Sequence, residues 1–112
     1  MKHVIVSPSL AVSSQIAPQQ VEAFAQSGFK SIICNMPDGE IGSSQPSFDE
    51  IATAASAVGM QAAYLPIASW KAGPAEAAAF RHLLDSLPKP IVAFCRSGNR
   101  SAVLWSMSQT RA

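Results

Sequence analysis

The sequence has 112 residues, of which 48% are hydrophobic and 13% are charged, and its formal net charge is +1 at pH 7. This length supports one domain over residues 1–112, and the hydrophobic content excludes an intrinsically disordered chain. The near-neutral charge argues against nucleic-acid binding and against binding to an anionic membrane, and the lack of a long apolar run argues against a transmembrane helix.

The first half of the chain predicts three strand segments and one helix. Residues 4–6 and 10–12 are short and apolar, and they predict one or two short edge strands. Residues 18–28 predict a helix, because a proline opens the segment, apolar side chains recur at helical spacing, and a glycine closes it. Residues 30–35 are apolar and β-branched and predict a buried strand, which is followed by a polar loop over residues 36–46.

The second half continues the alternation of helix and strand. A capping box formed by Ser47 and Glu50 indicates the start of a second helix, which ends near Val58. The third helix begins at Pro74 and ends before Pro88. The remaining segments are a strand over residues 61–66, a loop over 67–73, a buried strand over 91–94, a polar loop over 95–99 and a last helix to about residue 109.

Alternating strands and helices with short connections are typical of a parallel sheet that is covered by helices on both faces. We therefore predict an α/β domain of three layers, with a central, mainly parallel sheet of about four strands. In open sheets of this kind, ligands bind at the carboxyl ends of the strands. The loops that follow the predicted strands are therefore the first places to search for a functional site.

Cysteine usage and the N-terminal segment predict a cytoplasmic protein. The two cysteines, Cys34 and Cys95, are too few for a disulfide scaffold, and no Cys-x-x-Cys motif or Cys/His cluster indicates a metal site. The apolar run at the N-terminus is too short for a signal peptide. We expect a reducing cytoplasm as the compartment, and neither a metal nor another cofactor.

Positive charge is concentrated near the C-terminal end of the chain. Residues 1–85 carry four basic and seven acidic side chains, whereas residues 86–112 carry four basic side chains and no acidic one. The basic residues of this last quarter are Lys89, Arg96, Arg100 and Arg111. Their excess of positive charge predicts a small anion-binding site in the last quarter of the chain.

The most informative segment places a cysteine directly after the predicted strand 91–94. Small and polar residues follow Cys95 and a helix then begins, so that backbone N–H groups and the helix N-terminus can form a concave anion site. Arg96 and Arg100 add positive charge, which stabilises a thiolate at Cys95. The predicted site has Cys95 and Arg100 as catalytic residues and an anion-binding loop made of Arg96, Ser97, Gly98, Asn99 and Ser101.

This loop resembles the active-site loops of the rhodaneses, which carry a persulfide on cysteine, and of the cysteine phosphatases. Residues 8–15, 28–35 and 37–40 precede it in an order similar to that of the beta-lactamase hydrolase-like family, in its phosphatase-like domain. The resemblance covers nearly the whole chain and implies a fold like that of dual-specificity phosphatases. Some family members are fused to a persulfide dioxygenase and linked to sulfide detoxification, which implies a persulfide dioxygenase domain or protein as a partner.

Two features of the sequence favour sulfur transfer over phosphate-ester hydrolysis. Arg100 lies five positions after Cys95, whereas cysteine phosphatases place the arginine one position further on, where this chain has Ser101. A phosphatase also needs an acid to protonate the leaving oxygen, and the loop over residues 66–73 contains none. A sulfur leaving group needs no such proton.

The resulting hypothesis is a sulfurtransferase in which Cys95 takes a sulfur atom from thiosulfate or glutathione persulfide and passes it to an acceptor thiol. Two alternatives stay open. One is a phosphatase of the protein-tyrosine or dual-specificity type, with a phosphocysteine intermediate at Cys95. The other is a non-catalytic module that senses persulfides or anions. In each case the expected ligand is a small anion that contains sulfur or phosphate, and no nucleic-acid or membrane partner is expected.

Two loop acids and a helix-start serine are further candidates for the site. Asp38 and Glu40 could take part in proton transfer or orient Arg100, and the alternative is that they form a solvated turn. Ser101 could donate a hydrogen bond to the Cys95 thiolate, and the alternative is that it only begins the helix.

Three other residues complete the set of candidates. Cys34 lies in a predicted buried strand, where a core role is favoured over that of a resolving thiol. Trp70 and Lys71 lie on the loop where the acid of a phosphatase would be expected. There they could border the pocket, and a packing role for Trp70 is the alternative.

Overall fold

The computed structural model describes residues 3–68 and 71–109. Within these residues the elements are β1 His3–Ser7, β2 Leu10–Ser13, α1 Val21–Gln26, β3 Ser31–Cys34, α2 Phe48–Ala57, β4 Gln61–Tyr64, α3 Pro74–Ser86, β5 Ile91–Phe94 and α4 Asn99–Ser108. A 3-10 turn over Pro18–Gln20 leads into α1. The helix expected over residues 18–28 is therefore shorter than predicted and begins as a tighter turn.

The strands form one sheet in the order β1-β2-β5-β3-β4. β1 pairs with β2 in antiparallel orientation, and the pairs β2–β5, β3–β5 and β3–β4 are parallel. Helices α1 and α2 pack on one face of the sheet and α3 and α4 on the other, which makes three layers. This confirms the predicted α/β class, with a mainly parallel sheet and helices on both faces.

The sheet differs from the expectation in its strand count and in the place of β2. It has five strands among the described residues, not about four, and β2 lies inside the sheet between β1 and β5. All four residues of β2 are buried, whereas Val4 and Ile5 of the edge strand β1 are 64% and 70% exposed. The prediction of an edge position for residues 10–12 is therefore wrong. An apolar run this short does not distinguish a central strand from an edge strand.

The buried core has one part on each face of the sheet. On one face, Phe24 of α1 and Ile51 of α2 pack against apolar side chains of β3 and β5. On the other face, Phe80 of α3 and Leu104 of α4 do the same. Each of these four side chains is at most 1% exposed, and burying a side chain of this size stabilises the fold by about 1.5–3 kcal/mol. The sheet is thus held rigidly between the two helical layers.

Local signals set the boundaries of the elements next to the site. The predicted capping box forms, because Ser47 Oγ accepts the N–H of Glu50 at 3.2 Å and Glu50 Oε1 accepts the N–H of Ser47 at 3.1 Å. The strand expected over residues 61–66 ends earlier, at Tyr64, although the N–H groups of Leu65 and Ile67 still donate to the carbonyls of Cys34 and Asn35. No helix within the described ranges is long and apolar enough to cross a membrane.

The register of the central strands brings three chain segments to one edge of the sheet. Phe94, the last residue of β5, is paired with Ser13 of β2 on one side and with Cys34 of β3 on the other. The residues that follow these strands therefore leave the sheet side by side. Among them are Asn35 and Cys95, and this carboxyl edge is where an open α/β sheet binds ligands.

Candidate active site

Cys95 lies at the carboxyl edge of the sheet, and none of its surface is exposed. The N–H of Gly98 donates a hydrogen bond to Cys95 Sγ at 3.0 Å. The loop is held against the end of β2, because the N–H of Cys95 donates to the Ser13 carbonyl at 3.4 Å and the N–H of Gln15 donates to the Arg96 carbonyl at 3.1 Å. A backbone donor directed at the sulfur stabilises negative charge on it.

The conformation of the loop depends on a glycine at position 98. Gly98 has φ +97°, in the left-handed region, and it is the N-cap residue of α4. A Cβ atom at this position would lie 3.4 Å from the carbonyl carbon and oxygen of Ser13. Glycine is therefore favoured by the positive φ, and a larger side chain here would pack against the end of β2. The turn places the positive end of the α4 dipole beside the sulfur.

Arg100 is held by a loop that is 60 positions away in the sequence. Its Nη1 donates to Glu40 Oε1 at 2.7 Å, and its Nη2 donates to Glu40 Oε2 at 2.6 Å. Nη1 also donates to the Ile67 carbonyl at 2.7 Å. The side chains of Arg100 and Glu40 are 11% and 25% exposed. The structure therefore places Glu40 where it can orient Arg100.

The ion pair changes the pKa values of both partners. The hydrogen bond from Arg100 holds the pKa of Glu40 below its ordinary value, so Glu40 is ionised at neutral pH. The pKa of Arg100 is raised, first by its hydrogen bond to Glu40 and to a smaller extent by Cys95. The guanidinium of Arg100 is therefore within electrostatic reach of the sulfur. An ionised Glu40 cannot donate a proton to a leaving group at neutral pH.

Asp38 is tied to the start of α2 and to the end of β4. Its Oδ1 accepts the N–H of Phe48 at 2.8 Å, and its own N–H donates to Tyr64 Oη at 2.8 Å. The rings of Phe48 and Tyr64 are stacked with their centroids 4.8 Å apart. This arrangement gives the Asp38 carboxylate a capping role at α2, and it fixes the loop that carries Glu40.

Ser101 and Asn35 form a buried pair beneath the loop, and neither has any exposed surface. The Ser101 hydroxyl donates to Asn35 Oδ1 at 2.8 Å, so the expectation that it donates to the Cys95 thiolate is wrong in this structure. Asn35 Nδ2 donates to the Leu65 carbonyl at 3.0 Å, which leaves Oδ1 as the acceptor for Ser101. Sequence reasoning did not single out Asn35, because it was expected as the last residue of the strand over residues 30–35 and the linear pattern contains no signal for its side-chain contacts.

The rest of the predicted loop is open to solvent. Arg96, Ser97 and Asn99 are exposed, and the N–H of Asn99 donates to Ser97 Oγ at 3.3 Å. Lys71 is exposed, and Trp70 lies outside the described residues. Of the two loop arginines, Arg100 is thus anchored and Arg96 is solvent-facing.

Cys34 differs sharply from Cys95 in its surroundings. It is 3% exposed, packs within the core on the α1–α2 face and donates from Sγ to the Met36 carbonyl at 3.3 Å. Burial raises the pKa of the Cys34 thiol to about 12. A thiol in this state is a poor nucleophile, which agrees with a core position and not with a resolving role.

Comparison with known proteins identifies the family of the chain. The sequence model of the family described as "Beta-lactamase hydrolase-like protein, phosphatase-like domain" matches residues 3–112. The chain belongs to this family. It is 30% identical over 109 residues to the beta-lactamase hydrolase-like protein of Xylella fastidiosa, and 29% identical over 109 residues to that of Agrobacterium fabrum. Each match covers 97% of this chain but only 25% of the relative, so the chain spans about a quarter of the length of these proteins.

Solved structures similar to this chain are cysteine-phosphatase-like. A candidate phosphatase from Neisseria meningitidis is 33% identical, with a TM-score of 0.82 over 88% of this chain and 70% of that one. A candidate phosphatase from Shewanella putrefaciens is 22% identical, with a TM-score of 0.79 over 95% of this chain and 69% of that one. TpbA from Pseudomonas aeruginosa, solved with phosphotyrosine, is 17% identical, with a TM-score of 0.68 over 91% of this chain and 58% of that one. The last two likenesses show the shared fold.

Proposed function

We propose that the domain is a cysteine-dependent enzyme of the phosphatase type, in which Cys95 attacks a small anionic substrate and carries the transferred group covalently. The observation that carries the proposal is the arrangement around the sulfur. Cys95 Sγ accepts a hydrogen bond from the N–H of Gly98 at the start of α4, and Arg100 lies within electrostatic reach of the sulfur. A thiolate and an anion can then share one positively polarised concavity.

For a phosphate monoester the steps follow from this geometry. The Cys95 thiolate attacks phosphorus, and the bond from phosphorus to the ester oxygen breaks, which leaves a phosphocysteine. The N-terminus of α4 and the Arg100 guanidinium stabilise the charge on the phosphoryl oxygens. Water then attacks phosphorus, inorganic phosphate leaves, and the Cys95 thiolate is restored. The family membership and the likeness to the Neisseria protein support this class of reaction.

The acidic residues near the loop limit which phosphate esters the domain can cleave. Glu40 is ionised by Arg100, and the Asp38 carboxylate accepts the N–H of Phe48. Neither is therefore set to protonate a leaving oxygen, and an alkyl phosphate needs such a proton. The leaving group of an activated aryl phosphate is a stable phenolate, such as nitrophenolate, and needs no proton. We therefore propose activated aryl phosphates as the phosphate esters that the domain cleaves.

A second candidate is sulfur transfer, and the spacing of the loop favours it. Arg100 lies five positions after Cys95, as in the rhodanese pattern, which gives a loop one residue shorter than that of cysteine phosphatases. The Cys95 thiolate would attack the outer sulfur of thiosulfate, the sulfur–sulfur bond would break, and sulfite would leave without needing a proton. An acceptor thiolate would then take the outer sulfur from Cys95 as a new persulfide. Glutathione persulfide is an alternative donor.

Intact-mass measurement distinguishes the two candidates. The protein is incubated with p-nitrophenyl phosphate or with thiosulfate, with Cys95→Ser as the nucleophile control and Cys34→Ser as the matched control for the second thiol. A gain of one phosphoryl group with release of nitrophenolate supports the phosphatase, and a gain of one sulfur atom supports the sulfurtransferase. Either adduct is expected in Cys34→Ser and not in Cys95→Ser. If Cys95→Ser turned over either substrate at the wild-type rate, the proposed nucleophile would be wrong.

A non-catalytic sensor makes a different prediction in the same assay. It would take up one group per chain and release none when donor and acceptor are in excess, whereas an enzyme turns over repeatedly.

The relatives are about four times as long as this chain and therefore contain further sequence. We propose a persulfide dioxygenase domain or protein as a partner, and pull-down or co-purification would test this. The cytoplasmic location also stays a prediction.

A further inference from the structure

Asn35 joins three chain segments beneath the Cys95 loop. Its N–H donates to the Phe94 carbonyl at 2.8 Å, and its carbonyl accepts the N–H of Ile67 at 3.0 Å. Its side-chain Nδ2 donates to the Leu65 carbonyl at 3.0 Å, and Oδ1 accepts the Ser101 hydroxyl at 2.8 Å. Both backbone groups and both ends of the amide are therefore used. The residue links the end of β5, the segment after β4 and the first turn of α4.

Two of the three linked segments bear directly on Arg100. Ser101 is its neighbour in the first turn of α4, and the carbonyl of Ile67 accepts a hydrogen bond from Arg100 Nη1 at 2.7 Å. Asn35 therefore fixes the backbone from which the arginine projects and also the carbonyl that its guanidinium contacts. Because Asn35 and Ser101 have no exposed surface, water cannot replace these hydrogen bonds without a rearrangement.

We propose that Asn35 is the positioning residue of Arg100 and that it sets the orientation of the guanidinium at the anion site. The effect of Asn35 on catalysis rests on the proposed function, whereas its effect on the orientation of the Arg100 guanidinium does not. An amide suits the position because one end must donate to a backbone carbonyl and the other must accept from a hydroxyl. Aspartate lacks the donor, and an apolar side chain lacks both groups.

A matched control separates positioning from simple stabilisation. Ser31 lies at the opposite end of β3, has no exposed surface and donates from Oγ to the Pro88 carbonyl at 2.7 Å. Ser31→Ala therefore removes a buried hydrogen bond on the same strand without touching the site. Asn35→Ala removes both amide contacts. Ser101→Ala removes one of them with the smallest change of volume, and it keeps the inference testable if Asn35→Ala does not fold.

The first readout is the NMR spectrum of the Arg100 side chain, assigned with Arg100→Lys. In the wild type, contacts to Glu40 and Ile67 should slow rotation of the guanidinium and exchange of its protons with water. In Asn35→Ala and Ser101→Ala we expect exchange to become about tenfold faster, and in Ser31→Ala we expect no change. If the Arg100 signals in both site variants matched the wild type, the inference would be overturned.

The second readout is a double-mutant cycle on kcat/KM with whichever substrate the wild type turns over. Asn35→Ala should lower kcat/KM about tenfold in the wild-type background and cause no further loss in the Arg100→Ala background. If the double variant lost kcat/KM by the product of the two single-variant factors, Asn35 would act independently of Arg100. If the wild type turned over neither substrate, the proposed function would fail, and the NMR result alone would decide the role of Asn35.

Discussion

Glu40 binds both terminal nitrogens of Arg100, at 2.7 Å and 2.6 Å, and so joins the loop after β3 to the first turn of α4. The pair is less exposed than an ordinary surface ion pair, with 25% of the Glu40 side chain and 11% of the Arg100 side chain accessible. Paired, planar contacts of this kind restrict the guanidinium to one orientation. The arginine of the proposed site is thus pre-oriented before any substrate binds.

Glu40→Gln should lower kcat/KM by about fivefold, which corresponds to about 1 kcal/mol of transition-state stabilisation. Glutamine keeps the size of the side chain, but it can accept from only one of the two nitrogens, so Arg100 becomes less ordered. Steady-state kinetics measure the effect, with Glu22→Gln on α1 as the control for loss of a negative charge. An unchanged or higher kcat/KM in Glu40→Gln would show that orientation by Glu40 does not matter for turnover.

The same pair should contribute to stability in a pH-dependent manner. The pKa of Glu40 lies below its ordinary value of 4.5 because of the Arg100 hydrogen bond. A lowered pKa in the folded state gives stability that is present above the unfolded-state pKa and is lost as the pH falls through the folded-state pKa. Glu40→Gln should therefore be less stable than the wild type by about 1 kcal/mol at about pH 7, with the difference shrinking toward zero as the pH falls through the folded-state pKa of Glu40.

Urea unfolding at several pH values measures this difference. Two-state transitions are expected for a domain of this size, so the free energies of unfolding can be compared directly. A stability difference that stayed constant down to acidic pH would contradict the assignment, because it would not depend on the ionisation of Glu40.

The parts of the site that lie close together in the sequence were predictable, and those built from distant segments were less so. Cys95, Gly98 and Arg100 follow a buried strand within six positions, so their common role is visible in the chain itself. The placement of Glu40 beside Arg100 was one of several open alternatives. The four contacts of Asn35 come from segments that meet only in the folded sheet, and a linear pattern contains no signal for them.

The fold was predictable to a similar extent. The alternation of apolar strands and capped helices predicted the three layers, because each element carries its own local signal. The position of β2 inside the sheet was not predictable, since strand order depends on which edges pair in three dimensions. The hydroxyl of Ser101 illustrates the same limit, because its hydrogen bond to Asn35 depends on how α4 is placed relative to the end of β3.

The two cysteines should differ in reactivity toward iodoacetate. Cys34 is held in the core with its pKa raised to about 12. None of the surface of Cys95 is exposed either, but it begins a loop whose residues Arg96 and Ser97 are exposed and which we propose binds anions. We expect one alkylated site per chain in the native protein, located at Cys95 by peptide mass mapping. Cys34→Ser should be alkylated at the wild-type rate and Cys95→Ser should resist alkylation until it is unfolded. Faster labelling of Cys34 than of Cys95 would contradict the assigned environments.

Gly98→Ala should damage the site, whereas Gly28→Ala should not. Both glycines have left-handed φ values, +97° and +99°, so alanine should destabilise either position by about 1–2 kcal/mol. At Gly98 the added Cβ would also lie 3.4 Å from the carbonyl carbon and oxygen of Ser13, whereas at Gly28 it would have no atom within 4 Å. At Gly98 the strain falls on the residue whose own N–H donates to Cys95, so a backbone shift that relieves the strain also moves this N–H.

Thermal unfolding and kcat/KM, measured on the same preparations, separate the two effects. We expect similar losses of stability in both variants, with kcat/KM lowered at least about tenfold in Gly98→Ala alone. Equal kcat/KM values in the two variants would show that strain at position 98 has no greater effect on the site than strain at position 28. The hydrogen bond from Gly98 to the sulfur would then not control the reaction.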